Sequence, residues 1–330
     1  MKYKIAVIGA GNMGTALAQI IAANNNAVAL WNYDSKLLFE IEKTRKSKFL
    51  PGVKLSEHIY PEEDITSAVK YADVVILATA SPYIRQMSRL IGPALKSKAI
   101  VVSIAKGIDK HGWLPMHEVI AQEIPERNHK RITVLSGPSI ADEFVQGIPT
   151  AVVAASADPS VFKTLRYFLR TPTFRIATSE DVVGVAMSGV AKNAYSVALG
   201  LCDGLKLKMN AKAWLATVAL AEMAKFVEAM GGELDTVYGL AGHGDLMVTG
   251  FGNSRNRAFG EYMAKCKKNC KATREVKATT EGIDAIKAMR VLAKQKRVKL
   301  PLLETMYAIV FRGRKAEPAL NDFFKHVRLK

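Results

Sequence analysis

Cysteine is scarce: three residues in 330, an odd number. That excludes a disulfide framework and points to a reducing compartment, so a cytoplasmic protein is expected. No uninterrupted apolar run of about 18 residues occurs, so no membrane-spanning helix and no integral membrane association are expected. The opening apolar run, Ile5–Ile8, ends at Gly9 and is too short for a secretory leader. Glycine (23) and proline (12) are too few for a low-complexity or collagen-like chain, and 49% hydrophobic with 23% charged residues is the composition of a folded one. Acid is also short: 47 Lys and Arg face 30 Asp and Glu, a formal charge of +17. Residues 261–330 hold 18 basic and 7 acidic residues, so +11 of that charge lies there. Such a field attracts anionic metabolites, lipid or nucleic acid, or is simply a solvated basic face. Zinc-finger spacing and aromatic RNA-binding signatures are missing, so nucleic acid is not an expected partner.

What is present is an alternation. Short apolar runs at Lys4–Ile8, Ala27–Trp31, Val74–Ala78, Ile100–Ile104 and Ile132–Leu135 read as buried strands, with later ones at Ala151–Ala155 and Phe174–Ile176. Between the first two, Ala16, Leu17, Ile20 and Ile21 mark one face of a helix. Strand–helix–strand alternation predicts an α/β fold: a doubly wound parallel sheet with helices on both faces. From about residue 180 the texture becomes helical, with segments over Val182–Leu201, Asn210–Met230, 255–268, 280–296 and 301–312. Two domains are expected, 1–185 and 186–330, the second all-helical.

Gly9-Ala10-Gly11-Asn12-Met13-Gly14 closes the first strand and opens the first helix. In that position the spacing is specific. Gly9 permits the tight turn, Gly11 lets backbone approach a pyrophosphate, and Gly14 lets the helix lie on the strand, its N-terminus facing the anion. At the end of the second strand stand Tyr33 and Asp34, with no Arg at 31–36. An acid there takes the adenine ribose hydroxyls, which favours NAD over NADP. Asp34 is equally readable as the N-cap of a helix beginning at Ser35.

Several polar segments follow strands or interrupt apolar helices. Lys106, in Ser103–Gly107, lies at a strand's carboxyl end, where open parallel sheets bind ligands. Gly137-Pro138-Ser139 reads as a turn with Ser139 capping a helix at Ile140. Lys192 is the only charge between Asp181 and Asp203 in a helix apolar on every face. A buried ammonium needs a partner, and its pKa falls toward the range of a proton donor and acceptor. The alternative is a lysine snorkelling to the helix edge. Asn193 beside it is a candidate holder of a substrate oxygen. Asp245, after the glycine-rich Tyr238–Gly244, is a candidate partner for Lys192, and His243 reads as a loop residue. Ser254 reads as an N-cap, followed by Arg255 and Arg257; two apart, they cannot share a helix face, so one is expected to grip phosphate and the other to be solvated. Cys266 and Cys270 read as ordinary thiols, and no metal is expected.

Taken in order, these segments resemble the soluble bacterial NAD(P)-dependent glycerol-3-phosphate dehydrogenases. The likeness runs from residue 4 to about 315 through GAGNMGTALA at 9–18, SIAKG at 103–107, LSGPSIADE at 135–143, AKNAYSVALG at 191–200, DGL at 203–205, NAKA at 210–213, GLAGHGDL at 239–246, SRN at 254–256 and TEG at 280–282. The resemblance implies an N-terminal Rossmann domain, a C-terminal helical domain, and interconversion of dihydroxyacetone phosphate and sn-glycerol 3-phosphate, which supplies phospholipid synthesis. It implies Lys192 as the catalytic lysine, with Asp245 and Asn193 orienting it and Thr249 near the reacting oxygens. It implies Lys106, Gly137, Ser139, Asp245, Ser254, Arg255 and Asn256 as substrate contacts. Asn12, Met13, Lys106, Ala141, Arg255 and Glu281 are implied on the cofactor, which is NAD, with NADP possible. A homodimer is expected. The alternatives are a 3-hydroxyacid or ketopantoate-type reductase of related build, or a non-catalytic NAD-binding paralogue.

Overall fold

The computed structural model describes residues 4–265 and 281–327; Cys266 and Cys270 lie outside them. The chain forms two compact units, one of residues 1–105 and 114–182, the other of 106–113 and 183–330.

The first unit is built on an eight-stranded sheet: β1 (Ile5–Ile8), β2 (Val28–Trp31), β3 (Ile59–Glu62), β4 (Val74–Leu77), β5 (Ile100–Ser103), β6 (Ile132–Ser136), β7 (Thr150–Ser156) and β8 (Phe174–Ser179). Their order across the sheet is β3-β2-β1-β4-β5-β6-β7-β8. The residues that make these strands explain the layers. Ile5, Val7, Val28, Leu30, Val74, Ile76, Ile100 and Val102 enter one buried cluster; Ala6, Ile8, Ala29, Trp31, Val75, Leu77 and Val101 enter another. Each strand thus alternates between two dry faces, the pleat's period of two with helices covering both sides. The helix Asn12–Ala23 covers the first face with Leu17 and Ile21, and the helix Ile84–Ile91 covers the second with Ile84 and Met87.

Two details differ from the expectation. A strand at β3 was not legible, because Ile-Tyr-Pro-Glu buries only its first residue and holds a proline, as befits a sheet edge. The sheet is also not wholly parallel: β7 pairs antiparallel with β6, and β8 is parallel to β7. The central register is the consequential one. Ile8 pairs with Trp31 and Leu77, and Leu77 with Ser103. This aligns the residues that follow β1, β2, β4 and β5 on one carboxyl edge.

The second unit surrounds the helix Val182–Gly204, in which every residue from Met187 to Cys202 is buried. Among the described helices it alone is long and apolar enough to cross a membrane, yet 83% of its apolar window is buried inside the protein. It is a core helix. The helix Arg255–Lys265 crosses it with backbones in contact: a Cβ at Gly200 would strike the carbonyl of Arg257, and a Cβ at Gly260 that of Val197. The helices Met209–Ala229, Glu281–Gln295, Pro301–Arg312 and Ala316–His326 also belong to this unit. The long helix ends where Lys206 takes a left-handed conformation (φ +57°), a position that favours glycine and costs another residue about 1 kcal/mol.

One acid is buried in this core. Glu222 accepts from the Tyr195 hydroxyl (2.8 Å) and from the backbone N–H groups of Leu302 (2.7 Å) and Leu303 (3.1 Å). It thereby ties two helices to the start of a third. Burial pushes its carboxyl up to about 7 from the usual 4.5, against the opposing pull of those donors and of Lys225. The folded state therefore holds a proton that the unfolded state releases above 4.5. The contribution of this group to stability is fully present below 4.5 and is lost as pH rises to about 7. The expected contribution is roughly 1 kcal/mol per pH unit across that window. Thermal unfolding of Glu222→Gln, which keeps an acceptor, should lose this slope; curves parallel to wild type at every pH would overturn the assignment.

Candidate active site

The first unit carries a cradle at the carboxyl edge of β1. Gly9 (φ +117°) adopts a conformation L side chains rarely take, and a Cβ there would lie 2.9 Å from the backbone of Ala78. A Cβ at Gly14 would collide with the carbonyl oxygen of Gly9, so only glycine lets the helix sit this close. Gly11 has the opposite property: nothing lies within 4 Å of where its Cβ would be. Closed at two glycines and open at the third, the turn admits a pyrophosphate against backbone. The helix Asn12–Ala23 has neither a capping side chain nor an acid in its first turn, so its N–H groups are available to an anion. These residues fit a dinucleotide.

The other members of this set lie around it. Asn12 does not project freely; its amide donates to the Phe49 carbonyl (2.7 Å) and to Asp142 (3.0 Å). Met13 packs against the core. Tyr33 is 88% exposed. Asp34 is an N-cap, its Oδ1 accepting from Lys36 and Leu37 backbone N–H groups at 3.1 and 3.3 Å. Asn32 Oδ1 accepts from the Asp34 N–H (3.0 Å). The turn is therefore pinned, with Oδ2 of Asp34 unused among the described residues. Gly137 follows β6 with φ +119°. Ser139 does not cap the next helix: its hydroxyl folds back onto the Gly137 carbonyl (3.0 Å), and Ile140 starts the helix Ala141–Phe144 with no side-chain cap. Ala141 is buried at that helix's first position.

The second unit carries the candidate reactive groups. Lys192, 8% exposed in its side chain, donates to Asp245 Oδ1 (3.0 Å) and to the Thr249 hydroxyl (2.8 Å). Thr249 donates in turn to the same carboxylate oxygen (3.3 Å). The other oxygen of Asp245 accepts from Lys106 (2.5 Å). Lys192 is thus partnered inside the core rather than snorkelling out. Asp245 reaches it because the glycine-rich stretch is wound, not looped: Leu240–Gly244 forms a π-helical turn, closed by Gly244 N–H on the Gly239 carbonyl (3.1 Å), running into the helix Asp245–Phe251. His243 is exposed on that turn.

Electrostatics follow from this geometry. Burial lowers the Lys192 pKa; Asp245 opposes it, and the Lys106 charge adds to it. Burial raises that of Asp245, but the two ammonium groups outweigh it and hold the carboxyl below its usual value. An ionised carboxylate thus holds two cations, and Glu281 adds a second negative charge that acts on Lys192. An ammonium has three hydrogens. Two of Lys192's are committed to Asp245 and Thr249, which leaves one for a substrate oxygen.

Around this core runs a ladder of amides. The Gly282 N–H donates to Asn256 Oδ1 (3.0 Å), and Asn256 donates to Asn193 Oδ1 (2.9 Å). Asn193 donates to the Lys106 carbonyl (3.1 Å) and to Glu281 (3.0 Å). Both Asn193 amide hydrogens are thus engaged, one on the Lys106 carbonyl and one on Glu281, which fixes the orientation of the side chain. Sequence spacing gave no sign of this ladder. Ser254 is the N-cap expected of it, accepting from the Arg257 N–H (3.1 Å) and donating to the Thr249 carbonyl (2.6 Å). Arg255 is exposed at the first position of its helix. Arg257 is not solvated as expected but is held by the carboxylates of Asp203 (2.7 Å) and Glu261 (2.6 Å).

A glycine cradle on a doubly wound sheet, and a buried lysine with raised acidity set between a carboxylate and a threonine, define an oxidoreductase dependent on a nicotinamide dinucleotide. The sequence matches the family models for the NAD-dependent glycerol-3-phosphate dehydrogenase N-terminus over residues 4–162 and C-terminus over residues 181–321. It is 38% identical over 316 residues to glycerol-3-phosphate dehydrogenase [NAD(P)+] of Moorella thermoacetica, covering 95% of this chain and 93% of that one. To the Fusobacterium nucleatum protein of the same name it is 36% identical over 321 residues, 97% of this chain and 96% of the other. The crystal structure of Coxiella burnetii glycerol-3-phosphate dehydrogenase superimposes with a TM-score of 0.89 at 31% identity, over 98% of this chain and 99% of that one. The chain belongs to the NAD-dependent glycerol-3-phosphate dehydrogenase family.

Proposed function

We propose that the chain interconverts dihydroxyacetone phosphate and sn-glycerol 3-phosphate, with Lys192 as the proton donor and acceptor at the substrate oxygen. The observation that carries this is the commitment of two Lys192 hydrogens to Asp245 and Thr249, which aims the third. The bound dinucleotide supplies the hydride in one direction and takes it in the other. In reduction Lys192 gives a proton to the substrate oxygen; in oxidation it takes that proton back. The Lys106 charge favours the same developing negative charge. Arg255, exposed beside the first N–H groups of its helix, grips the phosphate. Gly137 and Ser139 provide further substrate contacts; Ala141 and Glu281 serve the cofactor side. Ser254's hydroxyl is engaged in capping, so its contact is made through its N–H. We place the reaction in the cytoplasm, in keeping with a buried free thiol at Cys202. Its product serves phospholipid synthesis. Oxidation of NADH by the purified protein with dihydroxyacetone phosphate tests the reading; binding of NADH without turnover would sink it.

NAD is the proposed preferred cofactor. The pinned carboxylate of Asp34 has one oxygen left for ribose hydroxyls and repels a 2′-phosphate. Lys36, exposed two residues on, is the one nearby side chain in that turn that could favour the phosphate. We expect kcat/KM with NADH to exceed that with NADPH by about tenfold or more, given the cost of placing like charges together. Asp34→Asn, which retains capping, should narrow the ratio. Equal use of both cofactors by wild type, falling for NADPH alone in Lys36→Ala, would instead assign Lys36 to a 2′-phosphate.

A further inference from the structure

The segment from Thr249 to Arg257 joins the proton-transfer end of the site to the proposed phosphate grip, and several hydrogen bonds hold it. Ser254 ties it from within, donating to the Thr249 carbonyl and capping the helix through the Arg257 N–H. Arg257 ties it from outside. Its Nε donates to the Gly252 carbonyl (2.7 Å), its Nη1 to Asp203 (2.7 Å) and Glu261 (2.6 Å), and its Nη2 to Asn253 Oδ1 (3.4 Å). A guanidinium has five N–H donors. With these bonds made, Arg257 has no free fork for a bidentate grip on phosphate. Its neighbour Arg255 makes no hydrogen bond or ion pair among the described residues.

Asp203 anchors the far end. It lies near the end of the helix Val182–Gly204 and also accepts from Lys212 (2.7 Å), whose ammonium stands 4.7 Å from the ring centre of Phe251. One carboxylate thus joins the Lys192 helix, the helix Met209–Ala229 and the turn before Arg255. The Arg257 and Asp203 side chains are only 20% and 21% exposed, so this pair is partly shielded from solvent screening.

We propose that Asp203 and Arg257 are positioning residues for phosphate recognition: they hold the 252–254 turn so that Arg255 meets the substrate phosphate. Neither touches substrate. The inference rests on the assignment of Arg255 as the phosphate grip. Misplacement of such a group by about 1 Å costs on the order of 100-fold.

The test compares a phosphorylated substrate with its unphosphorylated analogue. In Arg257→Met, KM for dihydroxyacetone phosphate should rise about 10- to 100-fold. kcat/KM for dihydroxyacetone should stay within about twofold of wild type, and NADH binding by fluorescence should be unchanged, because the brace acts only through the phosphate. Asp203→Asn should show the same split more weakly, and Arg257→Lys should recover part of the loss. These two milder variants decide the matter if Arg257→Met does not fold. An unchanged KM for dihydroxyacetone phosphate, or equal losses on both substrates, overturns the positioning role. Wild-type protein that fails to turn over dihydroxyacetone phosphate would instead refute the functional reading on which it rests.

Discussion

Replacing Lys192 by methionine should lower turnover of dihydroxyacetone phosphate by about 10⁴-fold, the combined loss of a positioned proton donor and of a charge at the developing oxyanion. NADH binding should be unaltered, since the glycine cradle lies in the other unit of the chain. The protein should also remain folded. Removing one member of a buried ion pair is damaging when the survivor is left alone. Here Asp245 keeps its bond to Lys106 (2.5 Å) and the Thr249 hydroxyl at 3.3 Å. Full activity, or loss of NADH binding, would contradict the role. The pH dependence adds a second reading. Because burial makes Lys192 easier to deprotonate, reduction should fail on the alkaline side at a lower pH than an exposed lysine would allow.

Arg255→Ala carries the other large effect. A bidentate, charge-assisted grip comprises two hydrogen bonds of about 1.5–3 kcal/mol each. We therefore expect kcat/KM for dihydroxyacetone phosphate to fall about 10²- to 10⁴-fold. Turnover of unphosphorylated dihydroxyacetone should be spared. The helix itself should survive, because its cap is Ser254 and Arg255's side chain is exposed. Equal losses on both substrates would assign Arg255 to the fold rather than to the phosphate.

Much of this architecture was legible because burial on two faces leaves a strong mark. Strands such as Ile5–Ile8 and Val74–Val75-Ile76-Leu77 are continuous apolar runs. The helix around Lys192 announced its burial by having no polar face. The pairing of Lys192 with Asp245 was legible as a need, since an ammonium in that helix demands a counter-charge. That Lys106 would share the same carboxylate was not, because strand and helix patterns say nothing about where side chains 139 residues apart converge. The same holds for Arg257. Spacing showed that it and Arg255 must point differently, but only the position of Asp203 decides which is held. The edge strand Ile59–Glu62 and the antiparallel turn into β7 escaped for a simpler reason: neither leaves a distinctive pattern of burial.

The rod from Val182 to Gly204 has a consequence for length variation. Lys192, Asn193 and Asp203 are fixed on one helix, with about 15 Å of rise between Asn193 and Asp203. Inserting or deleting one residue in that interval would turn Asp203 by roughly 100° about the axis. It would also move Gly200 from its contact with the Arg257 carbonyl. The interval is thus closed to indels, whereas the exit at Lys206, already off the helical path, can lengthen or shorten without disturbing the register on which the site depends.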